Sequence, residues 1–173
     1  MKRPDWKLVW LVLAFLGLPV AASADDSYTF PVPAHAWSVA FAMPSLVKYQ
    51  AQSGDGQFQF EGQTDGGITV SFFVEPVPGA TSESCRQQYW RDASRNPMIA
   101  SSSVKLTDVS GKPGVLYVME TDYQGQHIRM QNVNVYLAID GTCIDLHISK
   151  IPFAAGDDTR LATIAGTLTT KAN

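Results

Sequence analysis

Alternating apolar and polar residues run through much of the first half of the chain and indicate β-strands. The alternation at 37–41 predicts a short strand that ends at the following Met-Pro pair. Two more strands are predicted at 57–62 and 67–76, joined by a glycine-containing hairpin turn. The segment 24–35 is polar and then punctuated by proline, so we expect an extended lead-in.

In two segments the inward-facing residues recur at helical spacing, three or four positions apart. In the segment 81–97, Thr81 or Ser82 is suited to cap the helix, and Asn96-Pro97 ends it. In the segment 157–168, Asp157 is suited to the same capping role. Helical spacing places one set of residues on the inner face of each helix: Cys85, Tyr89 and Ala93 in the first, and Leu161, Ile164, Ala165 and Leu168 in the second.

Four strands are predicted between the helices, at 103–109, 114–123, 126–139 and 143–150. Tight turns join the last three, which therefore lie antiparallel to their neighbours. Midway along 126–139 the apolar residues change sides, which predicts either a bulge or a sheet covered on both faces. The fold class is α+β: an antiparallel sheet of about six strands with two packed helices, forming one domain over 25–173.

Residues 1–24 have the pattern of a signal peptide: a basic start, an apolar run and the small residues Ala22-Ser23-Ala24 before the cut. The alternative is an uncleaved N-terminal anchor. Cleavage predicts a periplasmic or secreted protein without stable membrane insertion. The full chain has 13 basic and 16 acidic residues, a formal net charge of −3, and the leader is itself net basic. The acidic balance argues against nucleic acid as a partner.

Two cysteines remain after the leader, Cys85 and Cys143. In an oxidising compartment such a pair usually forms a disulfide, and the alternative is two separate buried thiols. The bond would close a loop of about 58 residues and stabilise the fold by roughly 4 kcal/mol. Neither cysteine lies in a CxxC motif, so a thioredoxin-like role has no support.

The segment "CIDLHISK" places Cys143, Asp145, His147 and Ser149 on one side of a strand. Asp145 could orient His147 as a catalytic base, which leaves a small hydrolase as an alternative function. The other interpretation is a strand with a polar side. The chain has no GxSxG motif, and its three histidines are scattered without metal-ligand spacing, so we expect no catalytic residue, metal or cofactor.

The segment 107–114 is the candidate contact with a partner. It carries Ser110, Gly111 and Lys112 ahead of a proline, and a stiff loop loses little entropy when it docks in a cleft. The alternative is an ordinary hairpin connection.

Two stretches resemble the PsbP-like superfamily, which includes photosystem subunits and bacterial periplasmic relatives. They are "WSVAFAMP" near the start and "YLAIDGTCIDLHISK" near the end, the latter followed by a final helix containing "IAGTL". The resemblance covers about 28–170 as an order of elements. It implies an α/β/α sandwich and binding or assembly work, and it brings no catalytic residue. The basic surface of the photosystem member is absent here.

These observations favour an exported, non-enzymatic binding protein that acts on a protein partner in the cell envelope. An inhibitor, an immunity protein against a toxin and an assembly factor all fit this class. A small-ligand carrier is a further alternative, and it would use an aromatic set made of Phe58, Phe60, Phe72 and Phe73.

Overall fold

A computed structural model describes residues 25–54 and 56–173 of the chain. The leader predicted at 1–24 lies outside the described residues. None of the helices described is both long and apolar enough to cross a membrane. The strands and helices follow one another in this order: β1 (Asp26–Pro31), β2 (Trp37–Met43), β3 (Leu46–Gly54), β4 (Gln57–Thr64), β5 (Ile68–Pro76), α1 (Ser82–Ala93), β6 (Lys105–Val109), β7 (Lys112–Tyr123), β8 (Gln126–Ile139), β9 (Thr142–Lys150), α2 (Asp157–Gly166) and β10 (Thr169–Ala172).

The strands form two antiparallel sheets. The larger has seven strands in the order β3-β4-β5-β9-β8-β7-β6, and the smaller has three in the order β1-β2-β10. The α+β class and the two helices are confirmed, but the expectation of about six strands is wrong. The sequence pattern missed β1, β3 and β10, and it described the segment that contains β1 as an extended lead-in.

The two helices pack on opposite faces of the large sheet. α2 joins the small sheet in covering the main core, where Val133, Val135 and Leu146 are fully buried. α1 covers a second cluster that includes Tyr136 and Cys143. The residue pairing of β8 with β7 and with β9 is continuous. Coverage of both faces, not a bulge, therefore explains why the apolar residues of β8 change sides.

The two helix starts differ. Thr81 caps α1 as predicted: its hydroxyl accepts a hydrogen bond from the Ser84 N–H, and Ser84 Oγ accepts one from the Thr81 N–H. The prediction that Asp157 caps α2 is wrong, because Gly156 is the residue before the first turn and offers no side-chain cap. The Asp157 carboxylate instead lies 2.8 Å from Lys150 Nζ and accepts the Ala154 N–H at 2.7 Å. The ion pair at the end of β9 lowers the pKa of Asp157.

A disulfide joins the first helix to the central strand of the sheet. The sulfur atoms of Cys85 and Cys143 are 1.97 Å apart, and neither residue is exposed to solvent. The expected pairing of these two cysteines is therefore confirmed. The bond fixes α1 above the polar side of β9, which is the candidate site.

Candidate functional site

The polar side of β9 lies on the face that α1 partly covers. Each of its side chains has a direct neighbour on both adjoining strands. The pairs are Phe73 and Tyr136 beside Asp145, Ser71 and Asn134 beside His147, and Thr69 and Asn132 beside Ser149. The structure therefore sets the row predicted from the sequence into a wider polar network that includes two asparagines of β8.

Asp145 is held by one amide inside an aromatic environment. Asn134 Nδ2 donates a hydrogen bond to Asp145 Oδ1 at 2.8 Å. Burial raises the pKa of Asp145 to about 7, and the hydrogen bond from Asn134 opposes part of that rise. The carboxyl group therefore titrates near neutral pH.

His147 has a separate partner. Its Nε2 lies 3.0 Å from Asn132 Oδ1, so a neutral ring donates its Nε2–H to that amide oxygen. Burial lowers the pKa of His147 to about 4. Within the part of the chain that the structure describes, no hydrogen bond joins Asp145 to His147. Each group is bonded to its own asparagine, and the acid does not orient the imidazole.

Aromatic side chains close the site from above. The rings of Tyr89 on α1 and Tyr136 on β8 stack at 6.1 Å, and Trp90 lies against Tyr117 at 5.1 Å. Burial raises the pKa of all three tyrosines well above the usual range. This layer places a packed helix, not an open substrate cleft, over Asp145.

The loop predicted over 107–114 is smaller than expected. Only Ser110 and Gly111 form the turn, with φ of 53° and 78°, and the flanking residues belong to β6 and β7. Positive φ at both positions is typical of a two-residue hairpin turn. The tip is exposed, but Lys112 is half-buried and its Nζ donates to the Gly166 carbonyl oxygen at 3.0 Å. Lys112 therefore neutralises the C-terminal end of α2.

We expect Lys112→Met to lower the free energy of unfolding by about 1 kcal/mol, because the last turn of α2 loses its cation and a carbonyl loses its donor. Lys105→Met, at an exposed position of the neighbouring strand β6, is the matched control and should change stability by less than about 0.5 kcal/mol. Urea unfolding of both variants measures the difference. Equal stabilities would show that the contact with Gly166 contributes nothing.

The aromatic set proposed for a ligand carrier divides between two faces. Phe58, Phe60 and Phe72 are buried in the main core, and the rings of Phe60 and Phe72 stack at 5.1 Å. Phe73 is half-buried on the opposite face, edge-on to Tyr89. Core packing therefore accounts for the three buried rings.

One surface was missed from the sequence: the outer edge strand β3 and the polar face beside it. β3 pairs only with β4 among the strands described, and Val47 and Tyr49 are 63% and 66% exposed. The sequence pattern that could have indicated this surface is the alternation at 57–63. Its polar residues occupy every second position, as its phenylalanines do. The buried phenylalanines indicated a strand, and the opposite row was left without a role.

No family model matches the chain, and no curated protein matches it. Solved structures with similar arrangements include a protein of Bacteroides thetaiotaomicron (9% identity, 78% of this chain, TM-score 0.49). This chain spans 46% of that protein's length. A second is the cyanobacterial PsbP of Synechocystis sp. PCC 6803 (13% identity, 88% of this chain and 96% of that one, TM-score 0.47). A third is LpqN of Mycobacterium tuberculosis, involved in cell envelope biogenesis (8% identity, 85% of this chain and 90% of that one, TM-score 0.41).

Proposed function

We propose that this chain is an exported, non-enzymatic binding protein that acts on a protein partner in the cell envelope. The observation that carries the proposal is the exposed edge of the large sheet at β3. Eight of its nine residues, from Val47 to Gly54, are exposed, and two of them are large apolar side chains. Edge strands of this length commonly pair with a partner or are protected by charge, proline or a covering element.

The protection of β3 is confined to its first residues. The Leu46 N–H donates to Tyr28 Oη at 2.8 Å, and the pairing with β4 shifts between Leu46 and Lys48. From Lys48 to Gly54 the pairing with β4 is regular, and the strand contains no proline. This stretch therefore offers a row of backbone donors and acceptors to an extended segment of a partner.

The turn at Ser110–Gly111 remains a second proposed contact. Its tip is exposed, and the Gly111 N–H donates to Asp108 Oδ1 at 2.7 Å, which stabilises the turn. Lys112 is engaged with α2, so its proposed share in binding is weaker than that of the two tip residues.

A small hydrolase using Asp145 and His147 is the alternative function. The shared face of β9 favours it, but the separate asparagine partners do not assemble a base and its orienting acid. A base with a pKa of about 4 is also a weak proton acceptor at neutral pH. We further propose a PsbP-like relationship, which the order of elements supports.

Photo-crosslinking in the envelope of the chain's own organism tests the proposed contact. A photoreactive phenylalanine analogue replaces Tyr49, and the control replaces Tyr123, which is 61% exposed at the far end of β7. We expect one crosslinked protein from position 49 and none from position 123. A third variant carries the analogue at Ser110. Crosslinking from position 110 alone would move the contact to the turn, and an absence of products at all positions would contradict the proposal.

A further inference from the structure

A continuous groove follows the face of the β3–β4 hairpin on the same side of the sheet as Asp145. Three clefts of about 420, 180 and 210 Å³ lie along it. Neighbouring clefts share lining residues: Gln50 and Glu61 border the first two, and Gln52 and Gln59 border the last two. From Lys48 to Gly54 the strand extends roughly 20 Å, so the groove suits a linear ligand several units long.

The groove is lined by carboxamides that are already oriented. Gln50 Nε2 donates to Glu61 Oε1, and Gln52 Nε2 donates to Gln59 Oε1 at 2.9 Å. A carboxamide has two donor hydrogens and an acceptor oxygen, so each pair keeps hydrogen-bonding groups that the contact between the two side chains does not use. The pairing fixes these side chains before a ligand arrives, which lowers the entropy lost on binding.

The charges of the groove balance. Among the described residues that line the clefts, Lys48 and Glu61 are charged, and they have opposite signs. A surface of this kind has little attraction for an anionic or cationic polymer. It matches an uncharged ligand that offers donors and acceptors along its whole length.

Phe73 adds an apolar surface at one end. It lines the third cleft beside Gln57, and its ring is held edge-on to Tyr89 at a centroid distance of 6.5 Å. A half-buried aromatic ring at the end of a polar groove is suited to packing against the C–H face of a sugar ring. Recognition of an extended peptide instead relies on backbone pairing at a sheet edge and on side-chain pockets, and this groove lies on the face of the sheet.

We propose that the groove binds a neutral oligosaccharide along the β3–β4 hairpin, with the paired glutamines as its hydrogen-bonding groups. The proposal goes beyond the protein partner, because its hydrogen-bonding groups lie on the face of the sheet. Tyr49, the proposed partner contact, borders only the first cleft, and Gln52 and Gln59 border the other two. The proposal adds a ligand class that the protein-binding function does not require.

NMR titration of the mature chain tests the proposal. Three probes are neutral hexasaccharides, of β-1,4-linked glucose, α-1,4-linked glucose and β-1,4-linked N-acetylglucosamine. The fourth, a polypeptide probe, is a hexapeptide made of two Gly-Ser-Asn repeats. We expect at least one hexasaccharide to shift the side-chain amide signals of Gln52 and Gln59. The double variant Gln52→Val/Gln59→Val should weaken that binding by about tenfold or more.

Gln126→Val is the matched control, because it removes an exposed strand glutamine from β8. The strands β5 and β9 lie between β8 and the β3–β4 hairpin that forms the groove. It should bind as the wild type does. Three results would overturn the proposal: no signal shifts with any hexasaccharide, equal weakening by the control, or shifts with the hexapeptide alone. Loss of the partner crosslink at Tyr49 would leave this result unaffected, so the two proposals fail separately.

Discussion

Replacing both cysteines, in Cys85→Ala/Cys143→Ala, should lower the free energy of unfolding by about 4 kcal/mol. The disulfide closes a loop with a sequence separation of 58. Without it the unfolded chain has more conformational entropy, which lowers the free energy of the unfolded state by about 4 kcal/mol. Small domains are stable by only about 5–15 kcal/mol, so this is a large share of the total. Chemical denaturation of both proteins under oxidising conditions measures the difference.

A reducing agent provides the control for this prediction. It should bring the wild type down to nearly the stability of the double variant and leave the double variant unchanged. The far-ultraviolet spectrum of the reduced protein should remain that of a folded protein, because the main core lies on the opposite face from the disulfide. A loss of less than about 1 kcal/mol in the double variant would contradict the entropic account.

The second large effect is expected from Asp145→Asn. Asp145 ordinarily ionises near 3.8 but has a pKa of about 7 in the folded protein. Between those pH values the folded state binds more protons than the unfolded state, so this residue makes stability fall as pH rises. Each pKa unit of the shift corresponds to about 1.4 kcal/mol of stability lost when the carboxyl group is ionised. Asn cannot ionise, so the variant should be more stable than the wild type by about 2–4 kcal/mol at pH 8.

His147 has the opposite effect on the pH dependence of stability. Its pKa falls from 6.5 to about 4 on folding, so the unfolded state binds more protons in that window and stability rises with pH. The two residues therefore oppose each other between pH 4 and 6.5, and the wild type should be nearly flat there. In Asp145→Asn the contribution of His147 is no longer opposed, and stability should rise steeply with pH across this window.

Urea unfolding at pH 4, 5.5, 7 and 8 measures these profiles. Asp65→Asn, in the exposed turn after β4, is the control and should follow the wild type. The substituted amide at position 145 can still accept the hydrogen bond from Asn134, so the comparison isolates the charge. If the free energies of unfolding of the wild type and Asp145→Asn changed with pH in parallel, the prediction that burial of the ionised carboxyl group destabilises the fold would be contradicted.

Strands with one buried face were predictable, and strands without one were not. β4 and β5 were found because buried apolar residues alternate in both. β3 was missed because its residues are exposed on both faces, so nothing in its sequence had to alternate. β10 has four residues and, among the strands described, pairs only with β2. Four residues are too few to show a period.

The sequence could predict which residues share the polar face of β9, but not which residues they hydrogen-bond. Strand periodicity correctly placed Asp145 and His147 on one face, and the compartment argument correctly paired Cys85 with Cys143. Their hydrogen-bond partners come from β8, which the sequence of β9 alone cannot indicate. The role of Lys112 depends on a carbonyl 54 residues away in the chain, so its separate bond to α2 could not be anticipated.

Affinity capture from an envelope extract of the chain's own organism tests the central claim, that the protein works by binding a protein partner. The baits are the mature chain, Tyr49→Lys and the control Tyr123→Lys, and the captured protein is then purified and bound again to each bait. We expect one protein in a 1:1 ratio with the wild type and with Tyr123→Lys, and a loss of affinity of at least about tenfold with Tyr49→Lys. The absence of any enriched protein, or equal binding by all three baits, would contradict a partner site at β3.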